Sequence, residues 1–208
     1  MKLQLAIDEL NLKEALDVLE QVHSYVDIIE VGTPFLIDAG REAVRQIKEN
    51  HPEVEVLCDA KIMDAGEYEA QLAYDAGADF VTVLGITDDL TIKGCVEQAR
   101  KQGRQVMVDL ICVPDFARRV PVLESLDVDV IAVHTGVDQQ HAGRTPLEDL
   151  QELKQYAKKA QIAVAGGINS ETVGEYVALE PDIVIVGSGI LNAADPVEAA
   201  KTIKAALK

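Results

Sequence analysis

The sequence predicts a single α/β domain, a (β/α)8 barrel of the TIM type spanning residues 1–208, and three observations lead there. Short apolar runs rich in Val and Ile alternate with longer amphipathic stretches about every 25 residues, the signature of repeated βα units. The chain has 208 residues with no composition break, within the usual range for one barrel. Glycines gather after the last two strand patterns rather than after the first. An open doubly wound sheet would place its nucleotide loop after the first strand, whereas a barrel commonly grips phosphate after the last two.

Eight strands are expected, at 3–7, 26–31, 54–59, 80–84, 105–109, 130–134, 162–165 and 183–186, and each reads as a near-continuous apolar run, as parallel strands buried on both faces do. Helices are expected between them. Asp88 and Asp89 supply a cap and acidic first-turn charge before a helix at 90–102, which Gly103 stops. Thr145 is a cap candidate, with Pro146 in the first turn of a helix at 147–159. Asn169 and Ser170 precede a helix at 171–179, Asp195 and Pro196 one at 197–207, and a short helix is expected at 190–193.

Composition limits what such a barrel can meet. Hydrophobic residues make up 48% and aromatics only 4% of the chain, and Trp is absent, so the core is aliphatic and offers no stacking platform for bases. The net charge of −17 repels phosphate backbones and anionic lipid, which argues against nucleic acid and membrane as partners. A small anionic substrate would need backbone N–H groups, a lysine or a metal to overcome that field. Cys58, Cys95 and Cys112 are widely spaced and form no C-x-x-C pair, so no disulfide framework or zinc site is expected. Met1-Lys2 leads directly into a strand pattern without a signal-peptide apolar region, and no apolar run approaches the length of a membrane span. A cytoplasmic location is the expectation.

The chemistry is legible at the strand ends, because in a barrel all C-terminal strand ends open onto one face. Asp8 ends the first strand, Glu30 the second, Asp59 the third with Lys61 behind it, Asp109 the fifth and His134 the sixth. Charged groups at such half-buried positions are costly unless paired or metal-bound. Asp59-Ala60-Lys61-Ile62-Met63-Asp64 is the sharpest local pattern: Asp59 and Lys61 are expected on one strand face, with Asp64 at the turn into the next helix. His134, ending an apolar strand, suits proton transfer near neutral pH. His23, His51 and His141 fall in helix-end or loop settings and read as solvent-exposed. Gly166 and Gly167 after the seventh strand, and Gly187, Ser188 and Gly189 after the eighth, suit a phosphate grip at the start of a short helix.

Taken together, Asp59-x-Lys61-x-x-Asp64, Glu30-Val31-Gly32-Thr33-Pro34, His134-Thr135-Gly136-Val137-Asp138 and the two glycine loops resemble the orotidine monophosphate decarboxylase suprafamily of barrels, and within it the 3-hexulose-6-phosphate synthase family. The resemblance covers essentially the whole chain. It implies a lyase: a Mg²⁺-dependent, reversible aldol reaction of D-ribulose 5-phosphate with formaldehyde, giving D-arabino-3-hexulose 6-phosphate through a metal-stabilised 1,2-enediolate, the fixing step of the ribulose monophosphate pathway. It also implies roles. Glu30 and Asp59 would hold Mg²⁺, with Mn²⁺ also suited to that donor set. His134 would be the general base, Lys61 would help neutralise the oxyanion, and Asp8 and Asp109 would orient hydroxyls or the lysine. Asp64 would reach into the site of a partner subunit, so the resemblance implies a homodimer with its site at the interface.

Other readings differ at particular residues. Decarboxylases of 3-keto-L-gulonate 6-phosphate on this fold carry an arginine three residues after the histidine, where this chain has Val137. Orotidine monophosphate decarboxylase shares the Asp-Lys-Asp row but would not require Glu30 or His134 in these places. A catalytically silent phosphosugar-binding protein would be expected to have lost one of Glu30, Asp59, Lys61 or His134. A pentose phosphate epimerase would interconvert ketoses without consuming formaldehyde.

Overall fold

The computed structural model describes residues 1–208. Eight parallel strands close on themselves in sequence order: β1 Lys2–Ile7, β2 Ile28–Val31, β3 Glu55–Ile62, β4 Phe80–Leu84, β5 Gln105–Asp109, β6 Val130–His134, β7 Gln161–Ala165 and β8 Ile183–Val186. The helices are α1 Leu12–Val22, α2 Thr33–Ala39, α3 Arg41–Asn50, α4 Gly66–Asp75, α5 Asp89–Gln102, α6 Phe116–Ser125, α7 Val137–His141, α8 Leu147–Tyr156, α9 Val173–Val177, α10 Ser188–Leu191 and α11 Pro196–Ala206. The predicted (β/α)8 barrel is therefore observed as one closed domain. No helix is long and apolar enough to cross a membrane.

Alternation along the strands divides the apolar side chains into two bodies, because successive residues of a strand face opposite ways. Inside the barrel lie Ala6, Ile28, Leu57, Phe80, Met107, Val130, Ala132, Ala163, Ile183 and Ile185. The larger body fills the space between the sheet and the helices, with residues such as Leu5, Ile29, Val56, Val81, Val108, Ile131 and Val164 from the outer strand faces. Continuing the interior rows towards the strand ends leads from Ala6 to Asp8, Ile28 to Glu30, Leu57 to Asp59, Met107 to Asp109 and Ala132 to His134. The apolar plug thus forms the floor beneath the charged groups.

The opposite end of the barrel is tied by a repeated device that the sequence reading did not anticipate. The residue preceding each even-numbered strand is an aspartate, and its carboxylate accepts the backbone N–H of the strand before it. Asp27 takes Leu3 N at 2.7 Å, Asp79 takes Val56 N at 2.9 Å, Asp129 takes Val106 N at 2.8 Å and Asp182 takes Ile162 N at 2.7 Å. Three are further neutralised: Asp27 by Lys204, Asp79 by Lys48 and Arg104, and Asp129 by Arg100. Each aspartate thus gives a partner to an N–H group of the strand before its own.

Several expected boundaries move, each for a local reason. β2 begins at Ile28 rather than 26 because residues His23–Tyr25 form a 3-10 turn and Asp27 turns its carboxylate to β1. β3 runs on to Ile62 through a register shift between Cys58 and Ile62, with Lys61 at φ +46. Helix α5 ends at Gln102 as expected and begins one residue early, at Asp89, with Asp88 accepting Leu90 N and Gly103 left-handed at φ +64. Helix α8 starts at Leu147 with Pro146 just outside it and no side-chain cap, so Thr145 does not cap it. It stops at Tyr156 rather than 159, because the N–H groups of Lys158, Lys159 and Ala160 all donate to the Glu124 carboxylate. Helix α9 is confined to Val173–Val177 because Asn169 Oδ1 takes the N–H groups of Glu171 and Thr172 in a turn. Helix α10 begins two residues earlier than expected, at Ser188.

Asp79→Ala removes one charged acceptor from a strand N–H and from two cations together. A loss of about 2–3 kcal/mol is expected from hydrogen bonds to a charged group, read as a lower urea midpoint at unchanged m.

Candidate active site

Six side chains singled out at the strand ends, Asp8, Glu30, Asp59, Lys61, Asp109 and His134, meet at the C-terminal mouth of the barrel, as expected. Four of them form one row through direct contacts. Lys61 Nζ donates to Asp59 Oδ2 at 2.5 Å and lies 3.4 Å from Asp109 Oδ2, and that same oxygen is 2.8 Å from His134 Nδ1. A plain strand face does not produce this row. The alternation that was to place Asp59 and Lys61 side by side is broken by the irregularity in β3, and the left-handed backbone at Lys61 swings its ammonium back over Asp59. The backbone strain is held by a hydrogen bond from Lys61 N to Thr82 Oγ1 at 2.9 Å.

Asp59 is held from several sides. Thr82 Oγ1 donates to its Oδ1 at 2.7 Å and Thr33 Oγ1 to its Oδ2 at 2.8 Å. Asp109 accepts Ile111 N at 2.8 Å through the oxygen not used by His134. Burial opposes ionisation of Asp109, but the His134 hydrogen bond and charge, with Lys61, outweigh it and hold its pKa below the ordinary carboxylate value. Burial likewise opposes the charge on Lys61, and Asp59 and Asp109 more than compensate, so its pKa lies above the usual lysine value. An ionised Asp109 can only accept, so Nδ1 of His134 bears the hydrogen in this contact, and in the neutral tautomer Nε2 is the nitrogen with the lone pair.

Glu30 is not hydrogen-bonded into the row. Its carboxylate is buried and accepts from Gln4 Nε2 at 2.6 Å. Burial first, then the negative charge of Asp59, pushes its pKa up to about 8. Asp8 is also raised, by burial and then by Asp59. It packs over the turn after β2, where a Cβ on Gly32 would meet its Oδ1 at 2.0 Å. A buried carboxylate facing a second carboxylate, with one amide as partner, is a site that a hard divalent cation would stabilise. Glu30 and Asp59 therefore fit Mg²⁺, which takes one or two carboxylates and completes its shell with water or substrate oxygens.

The two glycine loops lie against each other on the far side of the mouth. A Cβ on Gly189 would stand 2.2 Å from Ile168 O, and one on Gly166 would stand 2.8 Å from Thr135 O. Gly166 and Gly167 have φ of +129 and +68. The backbone N–H groups of Gly166, Gly167 and Gly187 donate to no acceptor in the chain, while Ser188 and Gly189 open the short helix α10. Clustered free N–H groups at close-packed glycines are the makings of an anion site.

Asp64 is not brought into the row. It is exposed at the turn before α4, and its carboxylate accepts Ala65 N at 2.7 Å. Sequence reasoning missed Gln4, Thr33 and Thr82, which position Glu30 and Asp59. Gln4 and Thr82 had a signal: a polar residue at an interior position of an otherwise apolar strand. It also misjudged His51, which is buried at 3% exposure against His23 rather than solvent-exposed, because its loop is folded under α1.

The geometry is matched by kinship. The model of the family described as orotidine 5'-phosphate decarboxylase / HUMPS matches residues 1–203. The chain belongs to that family, and it is an enzyme. The relatives it matches at high identity are 3-hexulose-6-phosphate synthases, which are aldehyde-lyases. The crystal structure of the synthase from Salmonella typhimurium is 57% identical, covers 100% of this chain and 98% of that one, and superposes with a TM-score of 0.98. A synthase from Staphylococcus saprophyticus is 50% identical over 100% of this chain and 99% of its own length. The synthase of Bacillus subtilis is 48% identical over 98% of this chain and 97% of its own length.

The raised pKa of Glu30 sets a pH signature. Its folded pKa of about 8 lies above the ordinary 4.5, so its contribution to stability is full below 4.5 and is lost as pH rises towards 8. Wild-type melting temperature should fall across that window, and Glu30→Gln should flatten the decline. Addition of Mg²⁺ at pH 7 should release close to one proton in weakly buffered solution; release unchanged in Glu30→Gln would remove Glu30 from the metal site.

Proposed function

We propose that this chain catalyses the reversible, Mg²⁺-dependent aldol condensation of D-ribulose 5-phosphate with formaldehyde, the fixing step of the ribulose monophosphate pathway. The observation that carries the reading is the row Asp59–Lys61–Asp109–His134 facing Glu30. It supplies a cation site, a fixed positive charge and an oriented imidazole within one mouth.

The residues divide the work as follows. The free N–H groups of Gly166, Gly167 and Gly187, with Ser188 and Gly189, bind the 5-phosphate and so fix the other end of the substrate in the mouth. Asp109 holds His134 by Nδ1, so that Nε2 faces the mouth as a base and can remove a proton from carbon 1. Glu30 and Asp59 would hold Mg²⁺, which would supply positive charge near the ketose oxygens. Lys61 adds a second positive charge, kept protonated by its two carboxylates. The carbon nucleophile then forms a bond to the carbon of formaldehyde, and protonated His134 returns its proton to the aldehyde oxygen, giving D-arabino-3-hexulose 6-phosphate. Asp8, lying over Gly32 at the rim, orients a substrate hydroxyl. Val137, exposed at the start of α7, offers no positive charge to a departing carboxylate, which favours this reading over decarboxylation of 3-keto-L-gulonate 6-phosphate. Mn²⁺ suits the same donors.

A homodimer belongs to this proposal. Asp64 points away from its own row beside an apolar rim in which Met63, Tyr68, Ile86 and Leu90 are exposed. Tyr68 and Leu90 also line a groove of about 460 Å³ between α4 and α5. Covering that rim with a second copy would bury the apolar surface and carry Asp64 to the neighbouring mouth. Free Cys58, Cys95 and Cys112 suit a reducing compartment, and we place the enzyme in the cytoplasm.

The deciding experiment is formaldehyde consumption by the purified protein with ribulose 5-phosphate, with Mg²⁺ and after chelation. Metal-dependent loss of formaldehyde with appearance of a hexulose phosphate is expected; no loss would direct the assay to CO₂ release from 3-keto-L-gulonate 6-phosphate. Replacing His134 by Asn should leave the melting temperature close to wild type and slow exchange of the carbon 1 proton by about 10²–10⁴-fold. Unchanged exchange would remove it as the base. Leu90→Glu should lower the sedimentation mass to that of a monomer and reduce activity with it.

A further inference from the structure

The barrel face opposite the mouth holds a second cluster of ligating side chains. His23 lies in the turn after α1, and His51 and Glu53 lie in the segment between α3 and β3. The two imidazole rings pack with centroids 4.8 Å apart and planes tilted by 31°. His23, His51 and Glu53 each bring one ligand atom to within 4.8 Å of the others.

The hydrogen bonding of this cluster is incomplete in a specific way. His23 Nδ1 lies 2.9 Å from Leu19 O; a carbonyl only accepts, so Nδ1 bears the hydrogen and Nε2 presents a lone pair. His51 is 3% exposed, yet its buried Nε2 has no partner at all. A ring nitrogen buried and unbonded against a second imidazole is unusual, because buried polar groups are nearly always satisfied. A backbone carbonyl on the far nitrogen is also the arrangement that fixes the tautomer and orientation of metal-ligating histidines.

We propose that His23, His51 and Glu53 form a binding site for a transition-metal ion of the Zn²⁺ class, separate from the carboxylate site in the mouth. Two imidazoles and one carboxylate form an N₂O donor set that selects Zn²⁺ and its neighbours over Mg²⁺ or Ca²⁺. Ligand atoms of a tetrahedral zinc site stand roughly 3.3 Å apart for bonds of about 2.0 Å, so the cluster, now within 4.8 Å, must draw in by up to about 1.5 Å. Glu53 is exposed and can supply that movement by a change of rotamer. The ion would clamp the end of α1 to the loop that enters β3, joining the first two βα units on the stability face of the barrel.

The test is calorimetric titration of the purified protein with ZnCl₂ in saturating Mg²⁺, which occupies the carboxylates of the mouth, paired with melting curves. One equivalent of Zn²⁺ should bind and raise the melting temperature. Binding should weaken at least about tenfold in both His23→Asn and Glu53→Gln, with Mg²⁺-dependent turnover unchanged, and should persist in Asp59→Asn. Co²⁺ bound at the same stoichiometry should give a visible spectrum that disappears in His23→Asn. No bound equivalent in the wild type, or an equivalent that both variants retain, would overturn the proposal. Should His23→Asn melt much lower without metal, Glu53→Gln decides alone, because its side chain is exposed.

Discussion

The arrangement of the mouth depends on one buried cation, the ammonium of Lys61, lodged between the carboxylates of Asp59 and Asp109. Without it those two groups would face each other as unneutralised buried charges, at a cost of several kcal/mol each. With it, Asp109 is held ionised beside His134 and grips it by one nitrogen, and in the proposed reaction Asp59 would present an oxygen to a divalent ion. The lysine reaches this position because β3 departs from regular pairing and Lys61 takes a left-handed backbone. A structural irregularity and an electrostatic requirement therefore coincide at one residue, as strained backbone often does at functional sites.

Charge is the second constraint. A chain with a net charge of −17 must attract a sugar phosphate against its own field. It does so by separating its devices around the mouth. The carboxylates and lysine gather over β1 to β6, while the groups proposed to hold the phosphate are uncharged backbone N–H groups at Gly166, Gly167 and Gly187. Such groups exert a fixed dipole without adding another side chain that the acidic cluster could pair with. The interior apolar plug, with Phe80 and Met107 near its centre, closes the barrel below and keeps bulk water from screening these interactions.

The far end of the barrel follows a different logic. Asp27, Asp79, Asp129 and Asp182 each tie one strand to the next, with basic residues from surrounding helices as counterweights for three of them. The His23–His51 pair lies at this end, between the first two units. Structure there serves cohesion, whereas the mouth carries the costly groups that chemistry requires. This is the usual division of labour in such barrels.

The sequence by itself determined the barrel, its eight strands and the six charged residues at their ends, since a period-two burial pattern fixes which residues share the interior and strand polarity fixes which end they reach. It also marked both glycine loops, because close backbone packing admits no Cβ at Gly166 or Gly189. Only the tertiary structure decided how those groups pair. The swing of Lys61 depends on a register shift in β3, the support of Asp59 on threonines in β4 and at the start of α2, and the burial of His51 on packing against His23. It also left Asp64 facing outwards rather than into its own row. These are contacts between residues more than 20 positions apart, or departures from ideal strand geometry, and neither leaves a periodic trace in the chain. Local pattern is a one-dimensional record of which face a residue takes, whereas its partner is chosen by closure of the sheet.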